Sequence, residues 1–153
     1  MTTRKTTGYS GTPLEKKLGI RENFKLRLIN IPWNYFDLFS TLPENIQIIE
    51  DTRIKKNFIH YFTKESKEFY FLLPVLKSEI DPDGMIWVSW PKKASGIVSD
   101  ITEDFIRNYA LKTGLVDIKV CSVDETWSGL KLVIPVKLRA ENYRFPLKQK
   151  GSE

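Results

Sequence analysis

The residues best suited to chemistry in this 153-residue chain are polar or aromatic and follow its predicted β-strands. Lysine ammonium groups beside aromatic side chains can hold an anionic or planar ligand through charge and stacking. We expect nine such residues to meet at one edge of a sheet: Trp33, Asp51, Lys64, Trp90, Lys92, Lys93, Asp124, Glu125 and Trp127. The same lysines and the carboxylates near residue 124 would alternatively form an ion pair that only latches a loop, and both interpretations stay open.

Other catalytic and metal-binding patterns are missing from the sequence. His60 is the only histidine and Cys121 the only cysteine, which excludes a typical zinc site. Both lie within apolar strand segments, where a lone histidine is usually structural and a thiol is normally inert. Neither a G-x-x-x-x-G-K-[ST] loop nor a G-x-G-x-x-G fingerprint occurs. The sequence therefore predicts no metal and shows no evident cofactor motif.

Composition is that of a single folded domain. Hydrophobic residues make up 41% of the chain and charged residues 28%, as in ordinary globular proteins. No apolar run approaches the roughly 20 residues needed to span a membrane. Because the amino terminus has no secretion signal and there is a single cysteine, we expect a cytoplasmic location.

The net charge of +5 is concentrated at the two ends of the chain. Residues 1–27 hold seven Lys/Arg and two Asp/Glu, and residues 131–153 hold six and two. The residues between them hold eleven and fifteen, a net charge of −4. Basic ends can hold a polyanion, but they are more often solubilising tails. This placement argues against a nucleic-acid partner. The partner expected instead is a small anionic ligand, held by the strand-end lysines, or a protein.

Periodicity and turn signals predict the elements that must position the nine residues. Predicted strands cover residues 24–31, 46–49, 56–63, 85–90, 116–123 and 130–136. Predicted helices cover residues 12–18, 33–42, 66–80 and 100–113. Thr12, Ser66 and Asp100 are interpreted as N-caps, Gly19 and Gly114 as the residues that end helices, and 81–84 as a turn.

This order predicts an α/β fold, a three-layer Rossmann-like and mostly parallel sheet with a C-terminal antiparallel hairpin. Residues 85–90 are apolar on both alternating faces, which is typical of a central strand covered on both sides. We expect one domain over residues 12–139, with flexible tails at 1–11 and 140–153. Ligands of open α/β sheets bind beyond the carboxyl ends of the strands, so the nine residues are expected at that edge.

Four stretches carry a resemblance: Thr12–Leu14 with Lys16–Ile20, Trp87–Lys93, Gly114–Asp117 with Lys119–Cys121, and Val123–Lys131. They resemble a bacterial domain family that has no established activity. The resemblance covers the chain from Gly11 to about Leu138, and it implies a relationship without implying a reaction.

A second resemblance lies in the order of elements from residue 66 to the final hairpin. It is similar to the carboxyl half of the S-adenosylmethionine-dependent methyltransferase fold. The resemblance implies a glycine-rich cofactor loop after the first strand, but residues 30–34 contain no glycine, and Trp33 is expected to occupy the space. The acidic pair Glu50-Asp51 matches the place where such enzymes hold a ribose.

Together these observations favour a non-catalytic binding or interaction domain with a strand-end pocket for a small anionic or nucleotide-like ligand. One alternative is a divergent enzyme of methyltransferase-like fold. The other is a nucleic-acid accessory protein that acts through its basic tails.

Overall fold

The structure is a computed structural model that describes residues 11–140. Its strands are β1 (Lys25–Ile29), β2 (Gln47–Ile48), β3 (Lys56–Phe62), β4 (Ile80–Pro91), β5 (Val116–Ser122) and β6 (Trp127–Val133). Its helices are α1 (Leu14–Leu18), α2 (Ser66–Lys77) and α3 (Glu103–Thr113), with short 3-10 turns at Tyr35–Leu38 and Lys93–Ser95. Residues 136–140 are helical as well. The predicted tails lie almost wholly outside the described residues.

One six-stranded sheet has the spatial order β2-β1-β3-β4-β6-β5. The first four strands in that order are parallel, and β6 is antiparallel to both β4 and β5. The predicted α/β fold, with a mostly parallel sheet and a C-terminal antiparallel hairpin, is therefore confirmed. Because β1 pairs with β2 on one side and β3 on the other, the direction of winding reverses between β1 and β3.

The two faces of the sheet have separate apolar cores. On the α2/α3 face, Ile86 and Val88 pack with the long helices. On the α1 face, Trp87 packs with α1 and the segment around the first 3-10 turn, and its indole Nε1 donates a 2.8 Å hydrogen bond to the Leu18 carbonyl oxygen. All three β4 side chains are fully buried, which confirms the predicted central strand.

Two predicted elements have a different form. The predicted helix over residues 33–42 is only the 3-10 turn at Tyr35–Leu38, because Tyr35 turns into the core and bonds to β3. The predicted turn at 81–84 is instead part of β4. The pairing passes from Lys56–Ile80 to Phe58–Met85, so the four turn-type residues bulge out of the β3–β4 ladder.

The helix caps are partly as predicted. Gly19 and Gly114 end α1 and α3 with φ of 84° and 90°, a left-handed conformation that favours glycine. At the start of α3, however, the cap is Thr102, whose hydroxyl oxygen accepts a hydrogen bond from the Phe105 N–H. Asp100 was predicted to cap α3, but its carboxylate lies at the start of α2.

At α2, the Asp100 carboxylate accepts hydrogen bonds from the backbone N–H of Ser66 at 2.7 Å and from the Ser66 hydroxyl at 3.1 Å. An acceptor from a distant loop therefore replaces the predicted local cap of this helix. Replacing Asp100 with alanine should lower the free energy of unfolding by about 1 kcal/mol, the usual cost of a lost cap. Urea unfolding would measure this.

The matched control is Asp104→Ala, which removes an equally charged, 86% exposed carboxylate that forms an ion pair with Arg107. This change should lower the free energy of unfolding by less than about 0.5 kcal/mol. Equal losses in the two variants would contradict the capping role.

Candidate functional site

A cleft of about 470 Å³ opens at the carboxyl edge of the sheet, between the ends of β1 and β3. It is lined by Asn30, Phe62, Thr63, Lys64, Glu65, Glu68, Ile97 and Trp127. This is the point where the winding of the sheet reverses, and ligands of open α/β sheets bind at such switch points. Its volume lies within the range of about 300–1,000 Å³ found for small-molecule sites.

The carboxylate of Glu68, in the first turn of α2, is held at the cleft by several hydrogen bonds. Its Oε1 accepts hydrogen bonds from the Tyr61 hydroxyl at 2.7 Å, the Thr63 hydroxyl at 3.1 Å and the Asn30 amide at 3.3 Å. Burial raises the pKa of Tyr61, so its hydroxyl keeps the proton that it donates. Three donors from the ends of β1 and β3 thus fix a negative group at the cleft.

The backbone after β1 turns sharply at Asn30, which has φ of 58°. Asparagine is one of the few residues apart from glycine that adopts this left-handed conformation readily. Its side-chain amide also donates to the Phe62 carbonyl oxygen at 3.1 Å, which joins the ends of β1 and β3. The turn expected to need glycine is therefore made without it. Trp33 was expected to occupy the space there, but it is 92% exposed.

An aromatic wall bounds the other side of the cleft. The ring of Phe62 packs edge-on against Trp127, with centroids 5.0 Å apart, and stacks on His60 with centroids 4.3 Å apart. Trp127 is half-buried, so part of its indole faces solvent. Such a surface suits the face of a planar ligand.

His60 itself forms a buried chain of hydrogen bonds behind this wall. Its Nδ1 lies 2.8 Å from the Tyr35 hydroxyl, and its Nε2 lies 2.8 Å from the Ser89 hydroxyl. All three residues are at most 1% exposed, and burial lowers the pKa of His60 to about 3. The serine and the histidine lie within hydrogen-bond distance of each other, but a substrate that comes from solvent cannot contact them. This chain of hydrogen bonds therefore has a structural role.

Of the nine residues predicted from the sequence, the structure brings Lys64 and Trp127 to the cleft. Lys92 instead donates from Nζ to the Ser122 hydroxyl at 2.6 Å, and its N–H donates to the Thr126 carbonyl oxygen. Lys93 is exposed in the second 3-10 turn. These two lysines point to the hairpin and to solvent, away from the lining of the cleft.

The loop around residue 124 is held by hydrogen bonds, whereas the predicted latch was an ion pair. Asp124 accepts from the N–H groups of Thr126 and Trp127 at 2.8 Å each, while Glu125 is exposed. Within residues 11–140, no ion pair joins either carboxylate to Lys92 or its neighbour. The loop is held by the Asp124 turn and by the lysine–serine hydrogen bond.

Two further predicted residues lie elsewhere. Trp90 packs in the core of the α2/α3 face, on the opposite side of the sheet from Trp127. The Asp51 carboxylate bonds to Arg53, which lowers its pKa. The Asp51 carbonyl oxygen accepts from Lys56, the first residue of β3, so this segment lies toward the amino end of that strand.

Sequence reasoning missed most of the polar lining of the cleft. Asn30, Thr63 and Glu68 meet only because β1, β3 and the first turn of α2 come together. A signal was present in the first two, since Asn30 is the second-last residue of the predicted strand 24–31 and Thr63 is the last residue of the predicted strand 56–63. Glu68 carried no such signal, because a glutamate in the first turn of a helix is usually explained by the helix dipole.

The structure shows neither a membrane span nor a metal cluster in the described part of the chain. No helix within residues 11–140 is long and apolar enough to cross a membrane. Over the same range, no group of three or more His, Cys, Asp or Glu side chains is placed to hold a metal ion.

Comparison with known proteins reveals similarity of fold. No protein-family model matches the sequence, and no curated protein matches it. The expected relationship to a bacterial family therefore stays a prediction. Among solved structures, the chain is similar to an S-adenosylmethionine-dependent methyltransferase from Aquifex aeolicus, with a TM-score of 0.56, 13% identity, and coverage of 79% of this chain and 88% of that one.

Two other structures show the same likeness. A ribosomal protein L11 methylase from Lactobacillus delbrueckii subsp. bulgaricus has a TM-score of 0.50 and 10% identity, covering 79% of this chain and 74% of that one. Magnesium protoporphyrin IX methyltransferase from Synechocystis, with bound S-adenosylmethionine, gives the same four values. The methyltransferase-like Rossmann fold expected from the order of elements is thus confirmed.

Proposed function

We propose that this protein is a divergent methyltransferase-like enzyme whose cleft takes S-adenosylmethionine. The observation that carries the proposal is the position of the cleft, at the switch point between β1 and β3 and between a fixed carboxylate and an aromatic wall. The methyltransferase fold of its structural neighbours favours this alternative over a non-catalytic binding domain.

The residues of the cleft fit the chemical parts of such a cofactor. The carboxylates of Glu65 and Glu68 suit its positively charged amino and sulfonium groups, and the Lys64 ammonium suits its carboxylate. The exposed part of the Trp127 ring suits the adenine. When bound, the cofactor would supply an electrophilic methyl group for transfer to a nucleophile.

The chain's own residues have positioning roles in this proposal. Glu68 is held by three donors, so it can orient a cation without first reorganising. Asn30 supplies the sharp turn after β1 and ties it to β3. Of the nine residues predicted from the sequence, Lys64 and Trp127 lie in the proposed site.

Finer expectations from the sequence belong to the same proposal. They are a single domain over residues 12–139, a cytoplasmic setting, a nucleotide-like ligand, and a relationship to the bacterial family of the four stretches. S-adenosylmethionine, which carries both charges and an adenosine, has the nucleotide-like character that was expected.

Calorimetric titration with S-adenosylhomocysteine tests the site without requiring turnover. We expect binding to the unmodified protein and a loss of about tenfold or more in Glu68→Gln, equivalent to about 1.4 kcal/mol. The loss follows from removing the charge beside the ligand's amino group while keeping the side-chain shape. Trp127→Leu should weaken binding by a similar factor, because stacking with the adenine is lost.

Glu125→Gln is the matched control, since Glu125 is an exposed carboxylate outside the lining of the cleft. This variant should bind S-adenosylhomocysteine with the same affinity as the unmodified protein. Failure of the unmodified protein to bind either S-adenosylhomocysteine or S-adenosylmethionine would overturn the proposal. Binding of S-adenosylmethionine without transfer of its methyl group to any component of a cell extract, which supplies acceptor nucleophiles, would return the protein to the non-catalytic class.

A further inference from the structure

Positive side chains from both ends of the sequence gather on the α1 face of the β5–β6 hairpin. Lys17 and Arg21 come from α1 and the residues after it, Lys119 and Lys131 come from β5 and β6, and Lys92 follows β4. We call these five residues the basic strip. Sequence position alone had assigned most of the excess charge to tails. In the structure, however, Lys17 lies on α1, Lys131 lies on β6, and Arg21 follows α1 closely.

Two lysines of the strip oppose each other across the hairpin. Lys119 pairs with Lys131 in the register of β5 and β6, and both lie on the same face as Cys121, which packs with the Trp87 cluster. Like charges directly opposite on neighbouring strands are destabilising. Burial lowers the pKa of Lys131, and nearby Lys119, Arg21 and Arg139 lower it further. Repulsion between these positive charges therefore destabilises the fold at the β5–β6 hairpin.

Two more cations meet at the carboxyl end of β5. The Lys17 ammonium donates to the Ser122 carbonyl oxygen at 3.1 Å, and the Lys92 ammonium donates to the Ser122 hydroxyl at 2.6 Å. Ser122 is three residues from Lys119, a distance of about 10 Å along a strand. The strip is thus linear, with a pair of positive charges at each end.

Three members of the strip, Arg21, Lys119 and Lys131, have no carboxylate in an ion pair with them within residues 11–140. The ion pairs within residues 11–140 involve Arg27, Arg53, Lys56 and Arg107, and none includes Arg21, Lys119 or Lys131. Asp117, the carboxylate of β5, is held by Arg107 from α3. The strip therefore presents net positive charge to solvent.

We propose that the basic strip binds the phosphodiester backbone of a nucleic acid. A nucleic-acid strand carries one negative charge per phosphodiester, so a row of cations about 10 Å long can contact more than one phosphate. The repulsion between Lys119 and Lys131 has no role in the fold, and binding of phosphate groups would offset it. This inference goes beyond the proposed methyltransferase-like activity and does not depend on the ligand of the cleft.

Fluorescence anisotropy with a labelled single-stranded DNA of mixed sequence tests the strip in the full-length protein. The double variant Lys119→Ala, Lys131→Ala should bind at least tenfold more weakly at low salt. Its plot of log affinity against log salt concentration should have a slope smaller by about 1.4, because each phosphate contact contributes about 0.7 for a single strand. The melting temperature of this variant should stay unchanged or rise, since a repulsive pair is removed.

The matched control is Lys67→Ala, Lys112→Ala, which removes the same charge from exposed positions of α2 and α3. We expect the control to keep both the affinity and the salt dependence of the unmodified protein. Equal losses in the two double variants would show that only net charge matters and would overturn the proposal. Undiminished DNA binding by the strip variant would overturn it as well.

Vesicles that contain phosphatidylserine distinguish a lipid surface from a nucleic acid, because both present phosphate groups. Strip-dependent binding to vesicles, with no strip-dependent binding to DNA, would overturn the nucleic-acid proposal. Strip-dependent binding to DNA that is not displaced by vesicles would support it.

Discussion

Replacing Glu79 with glutamine should lower the free energy of unfolding by about 3–5 kcal/mol, the range found when one partner of a buried ion pair is removed. Glu79 is 1% exposed and bonds through both carboxylate oxygens to Arg27 at 2.7 Å. It also lies 3.0 Å from the ammonium of Lys56, which is 0% exposed. Without the carboxylate, the buried ammonium would lose its ion-pair partner.

Urea unfolding of three variants would check this expectation. The exposed pair between Asp51 and Arg53 is the control, and Arg53→Gln should cost less than about 1 kcal/mol. The double variant Lys56→Met, Glu79→Leu should recover much of the loss, because apolar groups of similar volume replace buried charges well. A loss below about 1 kcal/mol in Glu79→Gln would show that the buried network is not needed for stability.

Lowering the pH from about 6.5 should destabilise the protein by up to about 1.4 kcal/mol per pH unit through His60 alone. Burial lowers its pKa from 6.5 to about 3 in the folded state, so between these values the unfolded chain binds a proton that the folded protein does not. The stabilising contribution of neutral His60 is therefore complete above pH 6.5 and is lost as the pH falls toward 3.

The window just below pH 6.5 isolates this group, because His60 is the only histidine and carboxyl groups titrate lower, near pH 4. His60→Gln keeps hydrogen-bonding atoms between Tyr35 and Ser89 but cannot titrate. We expect this variant to be less stable and to have a flatter dependence of unfolding free energy on pH between about 5 and 6.5. Parallel profiles for the two proteins would contradict the assignment.

Local patterns in the sequence predicted the elements of the fold well. The apolar residues on both faces of 85–90 predicted a central strand, and Trp87 is fully buried in it. The glycines at 19 and 114 predicted the helix ends, because their left-handed conformation is a local property. The methyltransferase-like order of elements followed from these strands and helices.

Features that depend on distant contacts were not predictable in this way. Tyr35 bonds to His60, which favours a short 3-10 turn over a helix at residues 33–42. Asp100 stabilises a helix that begins 34 residues earlier, while the nearby Thr102 caps the helix that follows. A local capping pattern cannot distinguish between these partners.

The candidate site was predicted in its location but not in most of its residues. Strand exits do converge at one edge, and Lys64 and Trp127 lie there. Trp90 has the same exit position as its neighbours, but its place in the alternation of β4 directs it to the α2/α3 face. Glu68 is held in place by three partners at the ends of β1 and β3, which a sequence pattern does not reveal.

One proton on the His60 ring sets the direction of the whole buried chain of hydrogen bonds. A neutral imidazole carries one N–H, so it donates to one hydroxyl and accepts from the other. With the N–H on Nε2, Tyr35 donates to Nδ1 and Ser89 accepts; with the N–H on Nδ1, Ser89 donates to Nε2 and Tyr35 accepts. Either tautomer orients three dipoles the same way across β3 and β4. A single ring thereby couples the loop after β1 to the strand at the centre of the sheet.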